Sequence, residues 1–388
     1  MAHMYGLNAE QQKIVDTAST VAKEVLAKHA AEVDQKSRFP KESLDGLAKA
    51  GLLGLCIATE FGGKGQPPRT FAAVAEELAK ECASTAMIYV MHVTASQQIA
   101  ASGTFKDKAA VLKDAASGKH LTTLAFSEKG SRSNFWAPSS GLVADGANFK
   151  TDASKSWVTS ARAAQSFVSS ARMPGAPSAL ASTLYLVRNG QPGVEIQGSF
   201  SGVGLRGNDS APVQLNGYKI PAGDVLTEQG KGADGMLQVV LPWFVVGTSA
   251  MSHGLCLKAI ELTSGHLQGS SIDFTSQKLR DLPNLRARLA DMAVATDRSR
   301  ALLGYTVGEM EKPDAMTPLR VLQSRRSAVD TAVGVTDLAM KACGGAAFSQ
   351  HLPIERLFRD ARAGWVMAPT VDHLDDFMGK ALTGLPLF

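Results

Sequence analysis

The segment Leu357-Phe358-Arg359-Asp360-Ala361-Arg362, followed by Ala368 and Pro369, is the stretch from which the fold of this chain can be argued. Other short segments precede it in a definite order. They are Glu60-Phe61-Gly62-Gly63, Glu76-Glu77-Leu78, Cys82-Ala83-Ser84-Thr85-Ala86, Phe126-Ser127-Glu128-Lys129-Gly130-Ser131-Arg132-Ser133, Lys155-Ser156-Trp157-Val158-Thr159, Gly344-Gly345 and Pro353-Ile354-Glu355-Arg356. Each segment alone is a weak signal, but the ordered set indicates one specific fold.

These segments resemble the signature motifs of the acyl-CoA dehydrogenase superfamily, and the resemblance covers nearly the whole chain. Residues 126–133 are similar to the family's flavin loop, and residues 155–159 to a strand of its middle domain. The family fold is α+β, with an N-terminal helical domain, a middle β-barrel or sandwich and a C-terminal four-helix bundle. The resemblance therefore implies this arrangement and an FAD-dependent oxidoreductase.

The spacing of apolar residues predicts the same three parts. Residues 5–118 carry apolar side chains at helical spacing, as at Ile14 and Ala18. Residues 119–230 contain short β-rich runs divided by glycine and asparagine turns. Residues 231–388 return to the helical period in several long segments, which predicts a bundle.

Composition excludes some classes of function. Of the 388 residues, 45% are apolar and 20% are charged, and the net charge is +4. A charge this small, with no basic run, does not indicate nucleic-acid binding. The four cysteines are dispersed without metal-ligand spacing, so we expect free thiols, a reducing cytoplasmic location and no metal site. We expect neither a signal peptide nor a membrane-spanning segment.

The resemblance assigns part of an FAD site to the middle domain. In the family, backbone amides and a hydroxyl of the flavin loop bind the pyrimidine edge of the flavin, where negative charge collects on reduction. The matching positions are Phe126, Ser127 and Ser133. Trp157 and Thr159 match positions on the other side of the ring system.

The other part of the family's FAD site comes from a partner subunit, so the resemblance implies a homotetramer or a homodimer. The family's diphosphate-binding arginine falls near Ser271, where this chain has none, although Phe274 is retained. The family's glutamine is replaced by Lys341, which still supplies a cation for a diphosphate. The remaining matches to positions around the dinucleotide are Gly344, Gly345, Thr370 and Asp372.

The catalytic base of the family is missing. In register with the family motif, the usual glutamate falls on Ala368, which cannot accept a proton. A second family solution places the carboxylate in a helix that here reads Leu241-Pro242-Trp243-Phe244-Val245-Val246, also without an acid. Abstraction of an α-proton from a thioester needs a positioned base. Simple α,β-dehydrogenation is therefore disfavoured.

Other branches of the superfamily use the reaction of reduced flavin with oxygen, which needs hydrogen-bond donors and positive charge more than a carboxylate. The candidates for this role are His92, Arg132 and His373. We expect His92 in a helix that roofs the cavity, Arg132 within the flavin loop, and His373 five residues after the empty base position. Arg132 would balance the negative charge of reduced flavin.

Three functions remain open. The first is a flavin-dependent oxygenase or monooxygenase acting on an acyl-CoA thioester or a related small metabolite, with a flavin reductase or electron-transfer partner. The second is an acyl-CoA dehydrogenase with a relocated base, for which Asp372, Asp375 and Glu128 are the candidates. The third is a non-catalytic partner subunit without flavin. The retained flavin loop argues against the third.

Overall fold

The first part of the chain is helical, as its periodicity predicts. The computed structural model describes residues 4–388. Asn8 caps the first helix: its side-chain oxygen accepts from the Gln11 amide at 2.9 Å, and the Gln11 side chain accepts from the Asn8 amide. The helices are α1 (Ala9–Val21), α2 (Ala27–Gln35), α3 (Lys41–Lys49), α4 (Pro68–Glu81), α5 (Ala83–Ala101) and α6 (Lys108–Ala116), with a π-helical segment, Ala22–Leu26, between α1 and α2 and a 3₁₀ turn, Thr59–Phe61, before α4.

Helix α5 runs through the middle of the molecule. Nearly all of its side chains are buried, and it contacts α4, strand β1 (Thr122–Ala125) and helix α8 (Leu241–Gly269). A helix that is covered on every side shows no single apolar stripe in its sequence. Its rotation about its own axis therefore cannot be predicted from periodicity alone.

The middle domain consists of two small sheets. One has the order β1-β4-β5, with β1 parallel to β4, and the other is antiparallel with the order β2-β3-β7-β6. Single-residue bridges, Glu128 to Lys155 and Gly141 to Arg172, join the two sheets. The further strands are β2 (Leu142–Asp145), β3 (Asn148–Val158), β4 (Ser166–Arg172), β5 (Ser182–Arg188), β6 (Val194–Ile196) and β7 (Ala211–Ile220).

The last part of the chain is a bundle in which α8, α9, α10 and α14 are the main helices, and α10 contacts each of the other three. The three-domain α+β arrangement predicted from the sequence is confirmed. The elements are α7 (Gly232–Asp234), a π-helical segment (Gly235–Val240), α8, β8 (Ser271–Ile272), β9 (Gln277–Lys278), α9 (Pro283–Glu311), α10 (Thr317–Cys343), α11 (Gly345–Phe348), α12 (Ile354–Ala361), α13 (Ala363–Val366) and α14 (Val371–Thr383).

One helical stretch is apolar enough to cross a membrane by length and composition, contrary to the sequence expectation. It is Gly232–Gly269, and its most apolar window has a mean hydropathy of 1.4. Within this window 72% is buried inside the protein, where α8 packs against α4, α9 and α10. This is the position of a core helix in a bundle.

Candidate functional site

A large cavity lies between the middle domain and the helices on either side of it. Its volume is about 1090 Å³. Six parts of the chain contribute side chains to its lining. They are Met87 and Met91 of α5; Phe126, Ser127, Glu128, Arg132 and Ser133 after β1; Trp157 and Thr159 at the end of β3; Phe200 and Leu205 before β7; Leu241 and Phe244 of α8; and Arg359, Arg362, Ala363, Met367 and Ala368 near the C-terminal motif.

All the flavin-loop and β3 residues that the sequence resemblance assigned to FAD line this cavity. They are Phe126, Ser127, Ser133, Trp157 and Thr159. The cavity wall is therefore apolar on its aromatic side and carries hydroxyl groups along the loop. Such a mixed lining, with few polar groups in fixed places, is typical of a cofactor site.

Trp157 is turned into the cavity by an irregularity in its strand. The pairing of β3 with β7 shifts register between Lys155 and Val158, and Trp157 has a φ of +55°. A β-bulge re-aims the side chain at its position. The indole is 63% exposed and meets Phe200 edge to face at 5.9 Å. An indole exposed inside a cavity is ready to cover the face of a flat ligand.

The flavin loop has an unusual backbone. Gly130, Arg132 and Ser133 have φ values of +95°, +48° and +71°. Non-glycine residues in this region are strained, and such strain is concentrated at functional sites. The loop is held closed at its base, where the Ser131 hydroxyl donates to the Glu128 carbonyl at 3.0 Å.

Glu128 is the one carboxylate among the residues that line the cavity, and it is fully engaged. The Lys155 ammonium is 2.6 Å from Glu128 Oε1, and the amides of Ser139 and Ser140 donate to Oε2 at 2.6 and 2.8 Å. Both side chains of the ion pair are buried. Glu128 is therefore a structural anion, which argues against its use as the relocated base.

Three arginines line the cavity, and they differ in their partners. Arg359 binds the carboxylates of Asp34 and Glu355. Arg362 pairs with Asp337 and lies over the ring of Phe358. Within residues 4–388, Arg132 makes no salt bridge, and its side chain is exposed at the edge of the cavity. Of the three, it is the cation available to an anionic ligand.

His92 lies on α5, which contributes to the cavity lining as expected, but the His92 side chain itself does not line the cavity. It is completely buried, and its Nδ1 accepts a hydrogen bond from the Thr122 amide at 3.3 Å. Burial, with a contribution from His120, lowers the pKa of His92 to about 4. On α5 the residues that line the cavity are Met87 and Met91, and His92 lies about 100° further around the helix.

His373 also lies outside the cavity lining. Its ring packs against Trp136 at 5.3 Å and against Phe377 at 6.1 Å, and its Nδ1 is 3.2 Å from the Thr370 hydroxyl. The histidine belongs to an aromatic cluster between the middle domain and α14. Of the three catalytic candidates, Arg132 lines the cavity and the two histidines do not.

Both positions where the family carries a base reach the cavity. Ala368 lines it directly, and so do Leu241 and Phe244 of the second segment. Neither position offers a carboxylate. Of the other two candidates for a relocated base, Asp375 pairs with Arg326 on the surface and Asp372 is exposed, and neither lines the cavity.

The residues matched to a partner-borne half of the site lie away from the cavity of their own chain. Phe274, in the β8–β9 turn, is 91% exposed. Lys341, Gly344 and Gly345, at the C-terminal end of α10, are exposed as well. Thr370 and Asp372 begin α14. None of these residues lines the cavity.

Arg325 is a residue that sequence reasoning missed. It precedes Arg326 on α10, and both arginines look like surface residues of an amphipathic helix. Arg326 is indeed on the surface, but Arg325 is completely buried behind Phe244 and Gly364. No pattern in the sequence distinguishes the two.

Comparison with known proteins gives matches along the whole chain. Residues 8–119 match the family model "Acyl-CoA dehydrogenase, N-terminal domain", residues 123–218 the middle domain, and residues 230–370 the C-terminal domain. Cyclohex-1-ene-1-carbonyl-CoA dehydrogenase of Geobacter metallireducens is 27% identical over 98% of this chain and 99% of its own length. Acryloyl-CoA reductase (NADH) of Anaerotignum propionicum is 26% identical over 92% of this chain and 90% of its own.

Solved structures share the fold. Butyryl-CoA dehydrogenase from Megasphaera elsdenii has a TM-score of 0.92 at 22% identity, covering 97% of this chain and 99% of its own. The prolyl acyl carrier protein oxidase AnaB has a TM-score of 0.90 at 19% identity, with the same coverage. At these identities the likeness concerns the fold alone.

Proposed function

Because the chain belongs to the acyl-CoA dehydrogenase family, whose members are FAD-dependent flavoproteins, we propose that it is an FAD-dependent oxidoreductase that holds its cofactor in the large cavity. The cavity volume of about 1090 Å³ lies just above the range for small-molecule sites, which is roughly 300–1,000 Å³, and so leaves room for a large cofactor. Trp157 offers an exposed aromatic face, and Ser127 and Ser133 offer hydroxyl groups on the flavin loop. These residues fit a flat ring with a polar edge.

FAD, when bound, supplies two-electron redox chemistry. The chain's own residues have simpler tasks. Ser127 and Ser133 orient the polar edge of the ring, and Trp157 with Phe200 excludes water from one side. Arg132 provides positive charge at the cavity edge, which favours an anionic reduced state. Arg132 is thus the proposed catalytic residue.

The reaction we propose is an oxygenation, with an acyl-CoA thioester or a related small metabolite as the substrate. The observation that carries this proposal is the absence of a free carboxylate among the described residues of the cavity lining. Glu128 is bound by Lys155, and Ala368 stands where the family base would be. Without a base, α-proton abstraction has no route, whereas oxygen chemistry does not require one.

A dehydrogenase is the second candidate, because the curated relatives named above are a dehydrogenase and a reductase of acyl-CoA thioesters. It would need a base from outside the cavity lining. Asp375 is tied to Arg326 on the surface, and Asp372 would have to move inward. These contacts therefore favour neither aspartate as the catalytic base.

We also propose a homotetramer or homodimer. If Phe274, Lys341, Gly344 and Gly345 serve FAD, they must serve the cavity of another copy, because they do not line their own. A flavin reductase or an electron-transfer protein would supply or accept the electrons. The four cysteines are free thiols, which supports a cytoplasmic location.

Labelled oxygen tests the proposed reaction. The FAD-loaded protein would be mixed under ¹⁸O₂ with a flavin reductase, NADH and a panel of acyl-CoA thioesters, and the products analysed by mass. An oxygenase yields a product that carries the heavy isotope. A dehydrogenase yields an unlabelled enoyl thioester. A protein that binds no FAD and forms neither product is the flavin-free subunit.

A further inference from the structure

Arg325 carries a charge that the described part of the chain does not neutralise. It is the largest of the fully buried side chains, with an exposed fraction of 0%. Its Nη2 donates to the Gly364 carbonyl at 3.2 Å. Its Nε and Nη1 have no hydrogen-bond partner among residues 4–388, and no neighbouring carboxylate of these residues offsets the effect of burial on its pKa.

Burial of the unpaired Arg325 guanidinium is energetically unfavourable. Burial lowers the pKa of Arg325 to about 10, so the guanidinium is still charged at neutral pH. A buried charge without a partner is strongly unfavourable, and buried cations are normally paired. Arg300 shows the usual solution in the same protein, since it is paired with the buried carboxylate of Glu76 at 2.8 Å. Arg325 lacks an equivalent anion.

The guanidinium lies behind one wall of the large cavity. Arg325 Cζ is 5.9 Å from the centre of the Phe244 ring, and Phe244 lines the cavity. Gly364, which accepts its one hydrogen bond, belongs to α13, of which Ala363 and Val366 line the cavity. Only a single layer of side chain and backbone therefore separates this charge from the space where a substrate would lie.

The missing anion cannot come from the cavity wall. Glu128 is the one carboxylate among the lining residues, and Lys155 already neutralises it. Since no residue of this cavity wall is left to pair with Arg325, a ligand that enters the cavity is a source for the anion. A planar guanidinium with free donor nitrogens is well matched to a carboxylate, to which it binds through charge-assisted hydrogen bonds.

We propose that Arg325 is the receptor for a carboxylate group of the substrate, which reaches it past the Phe244 ring. This inference rests on the proposed function in that the same cavity holds the substrate. It narrows the substrate class to small molecules with an apolar body, suited to Phe126 and Phe244, and a terminal carboxylate.

The test is calorimetric titration of the FAD-loaded protein with benzoate and with benzamide, its neutral match. We expect benzoate to bind roughly ten- to a hundredfold more tightly than benzamide, since a hydrogen bond to a charged group contributes that much. Arg325→Met should remove the preference, and Arg325→Lys should keep part of it. Arg326→Met, at the neighbouring surface position of α10, is the matched control and should leave the preference intact. Arg132→Met is measured in parallel, because Arg132 is the cavity arginine that is open to an anionic ligand.

Three outcomes would overturn the proposal: equal binding of the two probes to the unmodified protein, a benzoate preference that survives Arg325→Met, or a preference lost in Arg132→Met instead. A purely structural role for Arg325 is separated by thermal unfolding. Replacing an unpaired buried charge by an apolar side chain should keep or raise the unfolding temperature. If Arg325→Met lowers the unfolding temperature and leaves benzoate binding unchanged, the role of Arg325 is structural.

The same titration, repeated on protein without FAD, separates this inference from the proposed function. Failure to bind FAD, with the benzoate preference retained, would refute the proposed oxidoreductase and leave the carboxylate site standing. Normal FAD binding and turnover without a benzoate preference would refute the carboxylate site and leave the proposed oxidoreductase standing.

Discussion

The Lys155 ammonium lies 2.6 Å from the Glu128 carboxylate, and the pair joins the flavin loop to strand β3. Burial alone would raise the pKa of Glu128, but Lys155 and Ser140 lower it below its ordinary value. The carboxylate is therefore ionised and occupied in the folded protein. The pair holds the shape of the cavity and does not supply a base.

Replacing this carboxylate should destabilise the fold. Glu128→Gln leaves the buried Lys155 charge without a counter-charge, although Lys155 keeps its hydrogen bond to the Ser170 carbonyl, and this costs about 3–5 kcal/mol of unfolding free energy. Urea unfolding measures the loss. Glu42→Gln, in a surface pair with Arg38, is the control and should lose at most about 1 kcal/mol. Equal losses in the two variants would show that the buried pair has no special weight.

Trp157→Ala should weaken FAD binding, because it removes the aromatic face that Trp157 presents to the cavity. We expect about a tenfold rise in the dissociation constant, the size of one good aromatic contact. The side chain is largely exposed, so the unfolding free energy should change little. Tyr305→Ala, an exposed aromatic outside the cavity lining, is the control for flavin fluorescence titration. Unchanged affinity in Trp157→Ala would remove this residue from the site.

His92 should make the protein sensitive to mild acid. Its folded pKa of about 4 lies below the ordinary value of 6.5, so the unfolded state takes up the proton first as pH falls. The contribution of neutral His92 to the unfolding free energy is complete above pH 6.5. It is lost progressively toward pH 4 and amounts to about 3 kcal/mol.

His92→Asn, which keeps an acceptor for the Thr122 amide, should flatten this dependence in urea unfolding at several pH values. Some slope will remain, because burial also lowers the pKa of His253, to about 3. If His92→Asn retained the full slope, His92 would not be its source.

Ala368→Glu tests whether the missing base is the one change that matters. We expect no acyl-CoA-dependent flavin reduction, because Trp243 and Phe244 have altered the segment where the family's other base would stand, and Phe244 lines the cavity wall. The new carboxylate should also weaken oxygenation, since an anion beside reduced flavin is unfavourable. Efficient dehydrogenation with oxygenation unaffected would contradict this expectation.

The cavity-lining residues that could be predicted from the sequence are those that lie within local sequence motifs. Ser127, Ser133, Trp157 and Thr159 could be assigned because the loop and the bulged strand end position them from neighbouring residues, whatever the rest of the chain does. The same holds for the three-domain fold, whose change from helical to β period is visible in sequence.

The histidines could not be placed, because their orientation depends on packing between distant elements. Helix α5 is buried all round, so the cavity side could not be distinguished from the β1 side, and Met91 faces the cavity where His92 was expected. Arg325 was missed for a related reason. Arginines are rarely buried, and only the packing of α8 and α13 against α10 covers this one.

The central claim is that this flavoprotein cavity has no catalytic base. Its most direct test is to mix the FAD-loaded protein anaerobically with saturated acyl-CoA thioesters and to follow the absorbance of the oxidised flavin. The account predicts no bleaching by any thioester alone, and bleaching when a flavin reductase and NADH are added. Stoichiometric bleaching by a thioester in the absence of reductase would contradict it, because a base would then be at work in the cavity.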